Sequence, residues 1–219
     1  MRTKFSYELA TLSDELAQMA RLAHEATERA DIAVAESDLT AAYEVFALEE
    51  QLQVKHARCE DRSVILLALE APVARDLRHV VTAIGIADDL FGIGGALSRV
   101  ADNVVRRHPQ PVAPPHVTAL LSGMARATVD LAAAAAAAIT ARPPSPDLVP
   151  PPRDETIARL HQQLLRAVAD TSWAYGSGMA VDLALLAQQY HRCAAHCLRI
   201  ERLIRFLHTG IPVSAQEAT

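Results

Sequence analysis

The amino-acid sequence predicts an all-α fold of two tandem three-helix bundles, six long helices related by an internal repeat. Three observations predict it. Apolar residues make up 51% of the 219 residues and aromatics only 4%, with Ala and Leu, the strongest helix formers, dominating the apolar set. Apolar side chains recur at spacings of three and four over long stretches. Runs of β-branched and aromatic residues bounded by turn residues, the mark of strands, are lacking.

The first seam is Phe5, Leu9, Leu12, Leu16, Met19, Ala23, Ala26 and Ala30, one face of an amphipathic helix. Ser37-Asp38 supplies an N-cap for a second helix, whose seam is Val45, Leu48, Leu52, Cys59, Leu66 and Leu69. Pro72 suits the first turn of a third helix. The third seam then runs Val73, Leu77, Val80, Ile84, Ala87, Phe91, Gly94, Ala101 and Val105. A helix cannot continue through Pro109, Pro111, Pro114 and Pro115, so the bundle boundary falls there: residues 1–108 form the first bundle and 109–219 the second.

In the second half, a helix over about 116–141 contains an Ala run, and Pro143–Pro152 interrupts the chain again. That segment is expected to be an exposed polyproline-type loop, with docking to a Pro-reading domain as an alternative role. Arg153-Asp154-Glu155 opens a fifth helix, acids suiting its N-terminus, which ends near Thr171. Trp173–Gly178 reads as a turn, with Trp173 as a core anchor and Gly176 and Gly178 as breakers. The last helix carries Leu183, Leu186, Tyr190, Cys193, Cys197, Ile200, Ile204 and Leu207 and stops at Thr209-Gly210. The tail from Ile211 is expected to fray. Each half thus has two helices followed by a longer third. With an offset of 100, Asp89-Leu90-Phe91 falls on Gln189-Tyr190-His191, and Arg99 on Arg199.

Composition excludes several functions. The net charge of −5 is spread along the chain, without the basic stripe of a nucleic-acid binder. Three cysteines, Cys59, Cys193 and Cys197, do not make a disulfide framework and fit a reducing compartment. The N-terminus lacks the apolar core of a signal peptide. The most apolar run, Leu131–Ile139, is too short to span a bilayer. The expected location is the cytoplasm, with no intrinsic membrane anchor. No GxSxG, HExxH or other nucleophile–base pattern occurs, and a carboxylate-bridged bundle enzyme or metal store would need ExxH pairs that are not at hand. A non-enzymatic protein without a cofactor is expected.

Two clusters stand out. Gly92, Gly94 and Gly95 lie within the third helix, each costing about 1 kcal/mol relative to Ala. Close helix packing or a kink would offset that; a remodelled ligand site is the alternative. His191, Cys193 and Cys197 are the densest soft ligands on one helix. Their seam positions favour Cys as a small core hydrophobe, with a residual metal site as the weaker reading. His56 and Cys59 belong to the other bundle.

Pro72-Val-Ala-Arg-Asp-Leu-Arg78 followed by Ala87-Asp-Asp-Leu90 resembles the PVARDLR…ADLERIGDLA signature of PhoU-type phosphate-uptake regulators. Ala184–His196, ending in Phe206-Leu-His-Thr-Gly210, is similar to that family's second signature, and Asp154–His161 to the start of its fifth helix. The resemblance spans nearly the whole chain. It implies a negative regulator of phosphate uptake that contacts a phosphate ABC-transporter ATPase and a membrane sensor histidine kinase, and it marks Arg75, Asp76 and Arg78 as a partner-binding patch. Their plain alternative is a solvated first turn. The resemblance also implies multinuclear metal clusters on E(D)xxxD motifs. Those motif positions are Phe91, Gly95, His191 and Ala195 here, so all four carboxylates are lost and this chain is a divergent member expected to bind no such cluster. A scaffold with a different partner outside phosphate control is the alternative function. A homodimer through the Ala-rich fourth helix or the glycine cluster is a further expectation.

Overall fold

The computed structural model describes residues 2–141 and 155–216. Six α-helices follow in order: α1 (Arg2–Glu36), α2 (Leu39–Glu70), α3 (Ala74–Arg107), α4 (Pro115–Thr140), α5 (Glu155–Ala169) and α6 (Gly176–Thr209), then a short 3-10 turn at Val213–Ala215. Among the described residues no strand occurs. The segment Pro143–Pro152 and the residues Arg153 and Asp154 lie outside the described residues.

Local chemistry sets the helix ends. Asp38 is the N-cap of α2, its carboxylate accepting from the backbone N–H of Thr40 at 2.7 Å and of Ala41 at 3.2 Å, which satisfies donors that the first turn leaves unpaired. Gly210 ends α6 at φ +75°, in the left-handed region that glycine adopts without a Cβ penalty. Pro115 opens α4, where its missing N–H costs nothing. Pro72 sits in the extended turn before α3 instead of inside it: Val73 is the N-cap and Ala74 the first helical residue. Gly176 starts α6, and Gly178 lies within that helix, so only the first of the two acts as a breaker.

In the first bundle α1, α2 and α3 pack on one another; in the second α4, α5 and α6 do. The two are joined side by side through α3 on α6 and α1 on α4, and one apolar core runs through both. α1 offers Ala20, Ala23, Ala26, Ala30 and Ala33, and α4 offers Ala132, Ala135 and Ala138. Small side chains of this kind let helix axes approach closely. The Ala run of α4 therefore spends its inner face within the chain.

Several expectations change. Leu69, Val73 and Leu77 are exposed, at 71, 73 and 41%, so the seams of α2 and α3 turn out of the core where these two helices meet. The third helix is the longest in the second half only: α1 has 35 residues and α3 has 34. Trp173 is half-buried and closes the end of the second bundle, its Nε1–H donating to the Gly176 carbonyl at 2.9 Å and its ring beside His116 and Tyr175. Finally, α3 and α4 each hold an 18-residue stretch apolar enough to cross a membrane, longer than the Ala run suggested. In α3, 67% of that stretch is buried by neighbouring helices, and in α4 39%. The apolarity of α3 is that of a core helix.

The Asp38 cap gives a direct check. Asp38→Ala should lower stability by about 1 kcal/mol and Asp38→Asn by only a few tenths, read from urea denaturation midpoints.

Candidate functional site

α3 and α6 run antiparallel across the junction of the bundles, so residues whose numbers sum to nearly the same value meet. Arg107 Nη2 donates to Asp182 Oδ2 at 3.2 Å, Gly92 faces His196 and Gly85 faces Leu203. At the other end a Cβ on Gly210 would lie 3.5 Å from Arg78 Nη1. The repeat read from the sequence is thus a pseudo-twofold axis passing between the two helices.

At this junction Asp89 is 1% exposed. Its Oδ1 lies 2.9 Å from both His196 Nδ1 and Arg199 Nη1. A carboxylate this deep is tolerated only when paired and hydrogen-bonded; here both partners come from α6. His196 reaches Asp89 because residue 92 is glycine. A Cβ there would stand 2.6 Å from His196 Cε1 and push the imidazole off. Gly94 serves packing in the same way, since a Cβ would lie 2.7 Å from Leu52 Cδ1. Nothing in the structure explains Gly95, whose absent side chain would meet nothing within 4 Å. The pseudo-equivalent of Asp89 is Gln189, 9% exposed, beside a cavity of about 370 Å³ that Arg99 also lines. There Arg99 Nη1 donates to its own helix, at the Gly95 carbonyl. The fold repeats, but only one of the two junction positions carries charge.

The four motif positions are occupied by groups that do not fit a carboxylate-bridged metal cluster: Phe91, Gly95, His191 and Ala195 offer one imidazole and no oxygen ligand. What replaces the first carboxylate of each motif is an aromatic ring laid on a histidine. Phe91 stacks on His56 of α2 with centroids 4.9 Å apart, and His191 packs on His161 of α5 at 5.2 Å. Burial, and then the neighbouring His191, lowers the His161 pKa.

His191, Cys193 and Cys197 are not brought together as a metal site. Cys193 and Cys197 are fully buried core residues, and His191 turns to His161. Burial pushes the Cys193 thiol up to about 12 and Cys59 to about 11, and Cys197 rises well above its usual value from the same cause. In this buried setting the thiols are protonated core fillers.

Arg75, Asp76 and Arg78 lie on the first turns of α3, next to the end of α6. Arg75 and Asp76 are exposed and Arg78 is half-buried. Burial, and then Arg75, lowers the His208 pKa. Asp76, His79 and His208 line a cavity of about 550 Å³ together with Phe5, Leu9, Ile86 and Leu207. The exposed apolar residues Leu69, Val73 and Leu77 flank the arginines. Periodicity within single helices did not reveal the Asp89–His196–Arg199 cluster. The only trace of it in the sequence was the offset that set Arg99 on Arg199.

Fold and site together define a helical scaffold with a paired charge at its centre and one apolar, arginine-flanked end. Residues 16–104 match the PhoU domain. Over 96% of its length the chain is 35% identical to the phosphate-specific transport system accessory protein PhoU homolog 1 of Mycobacterium leprae, covering 95% of that protein. It is also 35% identical to PhoU homolog 2 of Mycobacterium tuberculosis, of which it covers 99%. The fold is that of PhoU from Streptococcus pneumoniae, with TM-score 0.78 at 20% identity over 94% of this chain and 98% of that one. PhoU from Pseudomonas aeruginosa gives 0.73 at 21% over 94% and 100%. The chain belongs to the PhoU family.

The charge cluster predicts non-additive mutations. Arg199→Ala leaves His196 as the remaining partner of Asp89 Oδ1 and, because the Arg199 side chain is half-exposed, should cost about 1.5 kcal/mol. In an Asp89→Asn background the same change should cost under about 1 kcal/mol, by the same denaturation assay. Equal costs in both backgrounds would show that the pair is not coupled.

Proposed function

We propose that this protein is a non-enzymatic regulator of phosphate uptake that works by protein–protein contacts at the α2–α3 end of the first bundle. The observation that carries the contact surface is the row Leu69, Val73 and Leu77, exposed beside Arg75, Asp76 and Arg78. Exposed apolar side chains gathered around charged ones are the makeup of a docking face. Arginines there would supply charge-assisted contacts to acidic groups of a partner. The curated relatives are phosphate-specific transport system accessory proteins, which supports a partner within a phosphate-transport system. The family resemblance specifies two: the ATPase of the phosphate ABC transporter and a membrane sensor histidine kinase. The buried, protonated thiols and the lost motif carboxylates support binding over catalysis.

The replacements at Phe91, Gly95, His191 and Ala195 favour the second reading, a scaffold that kept the fold and changed its partner. One experiment separates the two. The tagged chain is recovered from phosphate-replete cells and its bound proteins identified. The proposal predicts capture of the transporter ATPase or the kinase, reduced at least about tenfold by Val73→Asp/Leu77→Asp with helix content unchanged. Capture of other proteins alone would place this chain outside phosphate control.

A further inference from the structure

One helical turn from the vacated motif position on α3, a different set of donors is assembled. His56 and Glu60 stand at i and i+4 on α2, and Asp88 faces them from α3. His56 Nε2 lies 2.8 Å from Asp88 Oδ1, and His56 Nδ1 lies 3.4 Å from Glu60 Oε2. One donor atom from each of the three residues can be chosen so that all lie within 4.8 Å of one another. Metal–ligand bonds of about 2.0–2.2 Å place adjacent donors roughly 3–3.5 Å apart, so little motion is needed to close this set around one ion. The two carboxylates approach opposite nitrogens of the ring. Their side chains are 55 and 51% exposed, so one can turn to the nitrogen the other already faces.

Two further observations favour a ligand here. Among the described residues, no Lys or Arg forms an ion pair with Glu60 or Asp88, so two carboxylates share one imidazole, and a dication would neutralise them. The imidazole, 15% exposed in its side chain, is held by the Phe91 ring stacked on it at 23° between planes. A fixed ring loses less freedom on binding. The residue that removed a carboxylate from position 91 thus positions a ligand of another kind.

We propose that His56, Glu60 and Asp88 bind a single divalent first-row transition-metal ion, one donor atom each, with water completing the shell. The imidazole selects this class over Mg²⁺ or Ca²⁺, which prefer oxygen throughout. None of Phe91, Gly95, His191 or Ala195 is a ligand, so the site is separate from the positions that the family motif marks. It ties α2 to α3 inside the first bundle and does not depend on which partner the protein meets.

The test is calorimetric titration of the full chain, free of any affinity tag, with Zn²⁺ and separately with Mg²⁺. One equivalent of Zn²⁺ should bind, with no heat from Mg²⁺. Glu60→Gln/Asp88→Asn should weaken Zn²⁺ binding at least about tenfold. Both side chains are exposed, so circular dichroism should show the fold intact. A wild-type chain that binds no Zn²⁺ would overturn the proposal. So would an unchanged affinity in the double variant, or a loss caused instead by His161→Ala at the His161–His191 pair.

Discussion

The antiparallel contact between α3 and α6 is the constraint on which the rest of the structure depends. Each bundle alone would leave one long helix face uncovered. Pairing those faces sets Gly85 against Leu203, Gly92 against His196 and Cys193 against the Ile93 carbonyl, within one apolar core shared by both bundles. Apolar burial of this extent, at about 25 cal/mol per Å², makes the junction part of the core and not a loose interface between domains. The charge of Asp89 is placed within it. Apolar packing tolerates sliding by a turn, whereas a buried carboxylate that must meet His196 and Arg199 does not. The cluster therefore selects one register of α3 against α6. Gly92 is the steric condition for that register.

Much of this architecture is legible in the sequence because helices announce themselves locally. The seams, the Asp38 cap, the Gly210 stop and the Pro109–Pro115 break are each decided within a few residues. The seam of α6 is buried throughout except at its last member, Leu207. What could not be read is decided between distant segments. Asp89 and His196 are 107 residues apart, and nothing in the period of either helix says that they meet. Periodicity also cannot say which seam positions a neighbour covers, so Leu69, Val73 and Leu77 keep the core pattern yet face solvent. The candidate site was half legible. The loss of carboxylates at Phe91, Gly95, His191 and Ala195 could be seen position by position. That aromatic rings packed on His56 and His161 take their place required the packing of α2 on α3 and of α5 on α6.

The two halves have diverged in chemistry while keeping geometry. Asp89 is charged and its counterpart Gln189 is not. Phe91 pairs with one histidine where His191 pairs with another. Among the described residues α2 has 32 and α5 has 15. A duplicated scaffold permits this, because the pseudo-twofold packing of α3 on α6 fixes both bundles at once and leaves each outer surface to change separately. The end that carries Arg75, Asp76 and Arg78 lies far from the charge cluster along α3, so partner contact and register selection rest on different residues.

The α3–α6 junction should join both bundles into one cooperative unit. Native-state hydrogen exchange across a urea series tests it most directly. The most protected amides of α3 and α6 should exchange together, with the same free energy and the same urea dependence, through global unfolding. Exchange of the α6 amides through a separate opening of lower free energy, with α3 still protected, would contradict it.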